Sequence, residues 1–97
     1  MTPEGKIKKE IVKNLENMGW FVMNIYTGGR FSTGSRGSAD LYVLKNGRGV
    51  WLEVKTPKNK QQPEQIVFES EIKLHGGEYY VVRSLDDVVN FLNGNIN

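Results

Sequence analysis

Asn46-Gly47 stands between two runs of strand-forming residues, Asp40 to Lys45 and Val50 to Lys55, and it is the tightest constraint on how this chain can fold. The dipeptide supplies the two positive-φ positions of a type I′ turn, whose twist matches that of an antiparallel pair. A two-residue turn pairs Lys45 with Arg48. The same register sets Asp40 opposite Glu53, with both side chains on one face and about 5 Å apart. Gly49 leaves room for a longer or bulged turn, which would move the register by one or two residues. Two carboxylates facing each other repel, and charge on a half-buried strand is costly unless it is paired or ligates a metal. A divalent cation between them turns the repulsion into attraction. The bland alternative is a solvated hairpin with cross-strand salt bridges and no metal. Tyr42 and Trp51, on the same face as the carboxylates, argue against such exposure.

The rest of the chain alternates helical and extended periodicity. Thr2 as N-cap and Pro3 at the first position open a helix to about Met18, with Ile7, Ile11, Val12, Leu15 and Met18 along one stripe and Gly19 at its end. At 100° per residue Glu4 falls on that stripe, whereas Glu10 lies at its flank. An inward carboxylate in a first turn suits the helix dipole or a buried polar site. Trp20 to Tyr26 is a strand. A glycine-rich loop follows, from Thr27 to Ser38, carrying Arg30 and Arg36. After the hairpin, Gln62-Pro63 begins a second helix that runs to about His75 and is closed by Gly76-Gly77. Gln65, Phe68 and Ile72 share its inner face. Glu78 to Val82 is a further strand, and Ser84 caps a last helix with Asp86 and Asp87 in its first turn. The order is α-β-β-β-α-β-α, which implies an α/β fold with helices packed on a mixed central sheet.

With 97 residues the chain supports one domain, expected over 1–97. It contains no cysteine, so a metal must bind oxygen or the lone His75. His75 falls in the last turn of the second helix, where an imidazole suits the dipole better than it suits catalysis. No organic cofactor is implied. No stretch approaches a membrane span or a secretory h-region, so a cytoplasmic location is expected, the host cytoplasm if the gene is a phage's. Net charge is only +2, but residues 28–60 carry seven basic side chains (Arg30, Arg36, Lys45, Arg48, Lys55, Lys58, Lys60) against Asp40 and Glu53. A basic block around two carboxylates is what a phosphate-binding surface with a central cation needs. Solvated loop charge is the simpler explanation of the bias taken alone.

Metal-assisted phosphodiester hydrolysis requires oxygen ligands that hold Mg²⁺ or Mn²⁺ and leave positions for water and phosphate. Asp40 and Glu53 supply two. Lys55 lies two residues beyond Glu53, so it faces the same way and can reach water or phosphate. The Val54 carbonyl is a further hard oxygen. Lys58 and Lys60 follow as phosphate contacts.

Ser38-Ala39-Asp40 followed by Glu53-Val54-Lys55 resembles the PD-(D/E)xK nuclease pattern, with Ala39 in place of the usual proline. The longer run Glu53-Val54-Lys55-Thr56-Pro57-Lys58, with Gln65 ten residues past Lys55, is similar to the virus-type replication-repair nuclease (VRR-NUC) family. The likeness extends over nearly the whole chain, from Glu4 through Gly28-Gly29 and Pro63-Glu64-Gln65 to Gly76-Gly77. Tyr26-Thr27 departs from it, since an asparagine often precedes the glycine pair in the family. The resemblance implies a restriction-endonuclease-like αβββαβ core with an added C-terminal helix. It also implies a Mg²⁺- or Mn²⁺-dependent DNA endonuclease with Asp40, Glu53 and the Val54 carbonyl on the metal. Lys55 would orient or activate water, and Glu4, a further metal ligand in one version, would complete the site with Gln65. Small standalone members, many from phages, resemble Holliday junction resolvases and form dimers. A homodimer acting on branched DNA in replication, recombination or repair is therefore expected, against a restriction-type nuclease or a non-catalytic DNA-binding module.

Overall fold

The computed structural model describes residues 2–25 and 38–93. The glycine-rich loop with Arg30 and Arg36 lies outside them. Helix α1 spans Pro3–Asn17, and the Thr2 hydroxyl accepts the Gly5 N–H at 3.0 Å, so the cap and the N-terminal proline fall where the sequence places them. Strands β1 (Phe21–Asn24), β2 (Leu41–Lys45) and β3 (Arg48–Val54) follow. Helix α2 (Pro63–Leu74), strand β4 (Glu78–Val82) and helix α3 (Leu85–Leu92) complete the order. Strand β1 is shorter than the aromatic run suggested. Among the described residues it lies at the sheet's edge and pairs with β2 alone.

The sheet runs β1-β2-β3-β4, antiparallel except for the parallel β3–β4 pair, and is therefore mixed. Asn46 at φ 51° and Gly47 at φ 82° make the expected tight turn, and Lys45 pairs with Arg48. Gly49 does not bulge. It pairs with Leu44, and any Cβ there would collide with the Tyr42 phenol, so its smallness makes room for that ring.

The two faces of the sheet bury different chemistry. Leu41, Val43, Val50, Leu52, Val54 and Val82 are wholly buried beneath Ile11 and Leu15 of α1 and Val88 and Leu92 of α3. Each such aliphatic side chain contributes about 1.5–3 kcal/mol by leaving water. This face supplies most of the stability. The other face carries a run of aromatic contacts, Tyr42 to Trp51 at 4.8 Å, Trp51 to Phe68 at 5.1 Å and Phe68 to Tyr79 at 6.0 Å. Helix α2 packs on β4 through Phe68 and buries no residue completely. On this second face, at the C-terminal end of β3, sit the charged residues.

Candidate active site

Asp40 lies in the bend just before β2, and the last cross-strand pair is Leu41 with Leu52. The register nevertheless carries Asp40 to the end of β3. Its Oδ2 accepts the Val54 N–H at 2.9 Å, and its carbonyl accepts the Ile25 N–H at 2.8 Å. The aspartate is thus tied to β3 by its side chain and to the residue after β1 by its backbone. Ala39 beside it is wholly buried, which leaves little space for a larger residue.

Glu53 is 2% exposed, an unusual environment for a carboxylate. Its Oε2 accepts the Gln65 side-chain amide at 2.7 Å and lies 3.6 Å from Lys55 Nζ. Its Oε1 is buried and has no hydrogen-bond partner among the described residues. Gln65 is held at both ends, because its own carbonyl oxygen accepts the Gln62 N–H at 2.8 Å as the capping box of α2. That bond turns the amide NH₂ toward Glu53. Burial, followed by the charge of Asp40, pushes the Glu53 carboxyl up to about 8; Lys55 opposes the shift, and Glu4 adds a smaller push in the same direction. The two causes are distinct, loss of hydration first and repulsion between carboxylates second, and the one nearby ammonium does not offset them.

This is the environment that a hard divalent cation fits. The orphaned Oε1, the mutual repulsion with Asp40 and the all-oxygen donor set each favour a Mg²⁺- or Mn²⁺-type ion. Among the described residues no three carboxylate or histidine side chains are grouped to hold a metal by themselves. Asp40 and Glu53 are the carboxylates that this end of β3 brings together, and Glu4 lies near enough to add to the charge on Glu53. Glu4 also lines a groove of about 650 Å³ with Thr2, Pro3, Thr56, Pro57, Lys58 and Asn59.

The basic block separates into different tasks. Lys45 donates to the Met18 carbonyl at 2.7 Å, joining the end of α1 to the hairpin. Arg48 is committed to Glu78 and to the end of α3. Lys55 is 8% exposed and belongs to the carboxylate centre. Lys58 and Lys60 are exposed on the connector after β3 and free to meet a polyanion. His75 is exposed, and its Nδ1 lies 2.9 Å from the Glu71 carbonyl one turn back. One residue that sequence reasoning missed is Arg83, which donates to two carbonyls of that connector. No spacing rule links it to a segment 24 to 27 residues upstream.

A solved structure described as a VRR_NUC domain superposes on the chain with a TM-score of 0.81, at 26% identity over 99% of this chain and 100% of the other. The chain has the fold of a VRR_NUC domain, in agreement with the resemblance its sequence carries. A second structure, a VRR_NUC domain protein, shares the fold at a TM-score of 0.79 and 15% identity, covering 99% of this chain and 89% of its own. No protein-family profile and no curated protein matches the sequence. The VRR-NUC fold agrees with the α/β core expected from the hairpin and the helix caps. The likeness to VRR_NUC domains points to a nuclease domain. No helix among the described residues of this VRR-NUC domain is long and apolar enough to cross a membrane.

Proposed function

We propose that this VRR-NUC domain is a Mg²⁺- or Mn²⁺-dependent DNA endonuclease selective for branched DNA. The observation that carries the reading is Glu53, a buried carboxylate with an unpartnered oxygen, held by Gln65 and Lys55 and repelled by Asp40. Asp40, Glu53 and the Val54 carbonyl hold the cation. When bound, the ion supplies charge neutralisation at the phosphate and lowers the pKa of a water molecule toward neutrality. Asp40 is oriented by the Val54 N–H, so its second oxygen is the one left for the ion. Gln65 fixes the Glu53 rotamer. Lys55, on the same strand face, lies within reach of the attacking water and the non-bridging phosphate oxygens. Its Nζ lies 3.6 Å from Glu53 Oε2. Glu4 borders the groove and limits how closely a phosphate can approach from that side. Lys58 and Lys60, with Arg30 and Arg36, bind the DNA backbone.

Each chain presents one such centre, and cleavage of both arms of a junction needs two of them under a two-fold axis. We therefore read the working form as a homodimer. Phe21, Met23 and Leu44 support this reading, being 61%, 44% and 40% exposed on the part of the sheet that α2 leaves uncovered. Among the described residues β1 is an edge strand, and two such edges can pair antiparallel about a two-fold axis.

The deciding experiment is cleavage of labelled four-way junction, flap and duplex DNA with Mn²⁺, Mg²⁺ or EDTA, with Asp40→Ala run beside the parent. Metal-dependent products that favour junctions and vanish in the variant support the full reading. Equal cutting of all substrates removes the structural selectivity. Tight binding without cleavage under every metal identifies a non-catalytic DNA-binding module.

A further inference from the structure

The connector from Lys55 to Gln62 leaves the carboxylate centre with Lys58, Asn59 and Lys60 exposed. A surface connector with no helix or strand of its own ordinarily samples many conformations. This one is clamped. The Asn59 N–H donates to the Thr56 carbonyl at 3.2 Å, closing a turn, and Arg83 Nη1 donates to the Thr56 carbonyl at 2.6 Å and the Asn59 carbonyl at 2.5 Å. At the other end Gln61 donates to Glu69 at 3.0 Å and to the Tyr79 hydroxyl at 3.3 Å. Arg83 is itself anchored. Its N–H donates to Asp87 Oδ2 at 2.8 Å, in the first turn of α3, and the preceding residue Val82 accepts the Lys55 N–H at 3.0 Å. The turn that Arg83 holds forms one wall of the 650 Å³ groove, and Thr2, Pro3 and Glu4 form the other.

We infer that Arg83 is a positioning residue for DNA, holding the Thr56–Asn59 turn so that Lys58 meets a backbone phosphate of the strand that runs through this groove to the carboxylate centre. The DNA part of the inference rests on the nuclease reading, whereas the clamp rests on the hydrogen bonds alone. The physical reason is ordering entropy. A lysine already loses its own rotamer freedom on gripping a phosphate, and a turn that also had to be ordered at that moment would weaken binding further. A guanidinium across both carbonyls orders the turn beforehand. Both hydrogens of Nη1 are occupied by those carbonyls, so this nitrogen is unavailable to the phosphate itself.

The test is a double-mutant cycle on DNA binding in EDTA, using the parent, Lys58→Ala, Arg83→Ala and the double variant, with folding checked by circular dichroism. Each single change is expected to weaken binding by about three- to tenfold, and the double by no more than about twofold beyond the weaker single, because both remove one interaction. In cleavage, KM carries the effect and kcat stays within about twofold of the parent. Effects that multiply in the double variant, or Arg83→Ala binding like the parent, overturn the inference. Arg83→Lys keeps the charge but replaces the planar donor pair with a point donor, so binding should fall between parent and Arg83→Ala. Full recovery by lysine would instead mean direct phosphate contact. Amide exchange in the DNA-free protein separates the clamp from the ligand. Asn59 N–H should exchange about tenfold faster in Arg83→Ala while Val54 N–H is unchanged, and equal Asn59 rates overturn the clamp. A parent that neither binds nor cuts DNA defeats the nuclease reading and the DNA role of Arg83 together, and the exchange arm still decides the clamp.

Discussion

Strand β3 carries charge at both ends, and the two ends are built on opposite principles. At its start Arg48 meets Glu78 through two parallel bonds, Nε to Oε2 at 2.9 Å and Nη2 to Oε1 at 2.8 Å, and donates to the Leu92 carbonyl at 2.7 Å. Tyr80 adds a third donor to Glu78 at 3.0 Å. The Arg48 bond holds the Glu78 carboxyl below the usual carboxylate range. At the far end of the same strand, burial and Asp40 push the Glu53 carboxyl up to about 8, and one of its oxygens has no donor among the described residues. A charge network that the protein closes by itself ties elements together, here β3, β4 and the end of α3. One that is left short of positive charge stores affinity for whatever brings it. The difference marks the second end as the place for chemistry, since perturbed and incompletely paired ionisable groups cluster at functional sites.

Substitution at the open end should break activity first. Lys55→Ala or Asp40→Ala is expected to lower cleavage by about 10³-fold or more in single-turnover assays, while filter binding shows Lys55→Ala still holding DNA. Arg48→Met should leave the chemical step unchanged. Adding the missing charge should sharpen the contrast next. With Mn²⁺ at about 100 times its Kd the parent gains about 2.7 kcal/mol, a rise in Tm readable by calorimetry, and Asp40→Ala gains far less.

Protonation probes the same deficit. Glu53 binds its proton more tightly in the folded than in the unfolded chain, so between about pH 4.5 and 8 the native state holds the extra proton. Metal-free protein should therefore lose stability as pH rises through that window. Glu53→Gln should remove this loss, gaining on the parent in thermal melts as pH rises from 5 to 8.5. A parent whose melting point is flat over this range would contradict the buried, uncompensated carboxylate.

The closed end gives a smaller effect. Arg48→Met leaves Glu78 with the Tyr80 hydroxyl as its remaining donor and takes one from the Leu92 carbonyl, but the ion pair is about a third exposed and screened, so the cost is about 1 kcal/mol in urea unfolding. The smallest effect belongs to the exposed connector. Lys60→Ala should reduce the slope of log K against log salt by about 1 in DNA titrations, with little change in the melting point.

Much of this was legible without coordinates wherever the physics is local. Asn46-Gly47 needs only its own φ values to make the turn, Thr2 and Ser84 cap from three residues away, and Gln62-Pro63 opens α2. The register follows from that turn, and with it the approach of Asp40 to the end of β3. Gln65 facing the sheet follows from helical spacing, and its bond to Glu53 bears that out. Glu4 was placed only in part, because a position on the apolar stripe gives a direction and not a distance. Among the basic residues sequence counted charge without tasks: Lys45 and Arg48 proved to be joints of the fold, and nothing in their neighbours distinguishes them from Lys58.

By itself the sequence determined the order of elements, the hairpin register and the meeting of Asp40, Glu53 and Lys55, because turn dihedrals, cap bonds and strand alternation act over a few residues. The tertiary structure alone decided that Glu53 would be buried with one oxygen unpaired, that Gly49 would yield its space to Tyr42, and that Arg83 would reach back to Thr56 and Asn59. Burial and long-range hydrogen bonds depend on which surfaces helix and sheet packing brings together, and that is a property of the assembled fold rather than of any short stretch of chain.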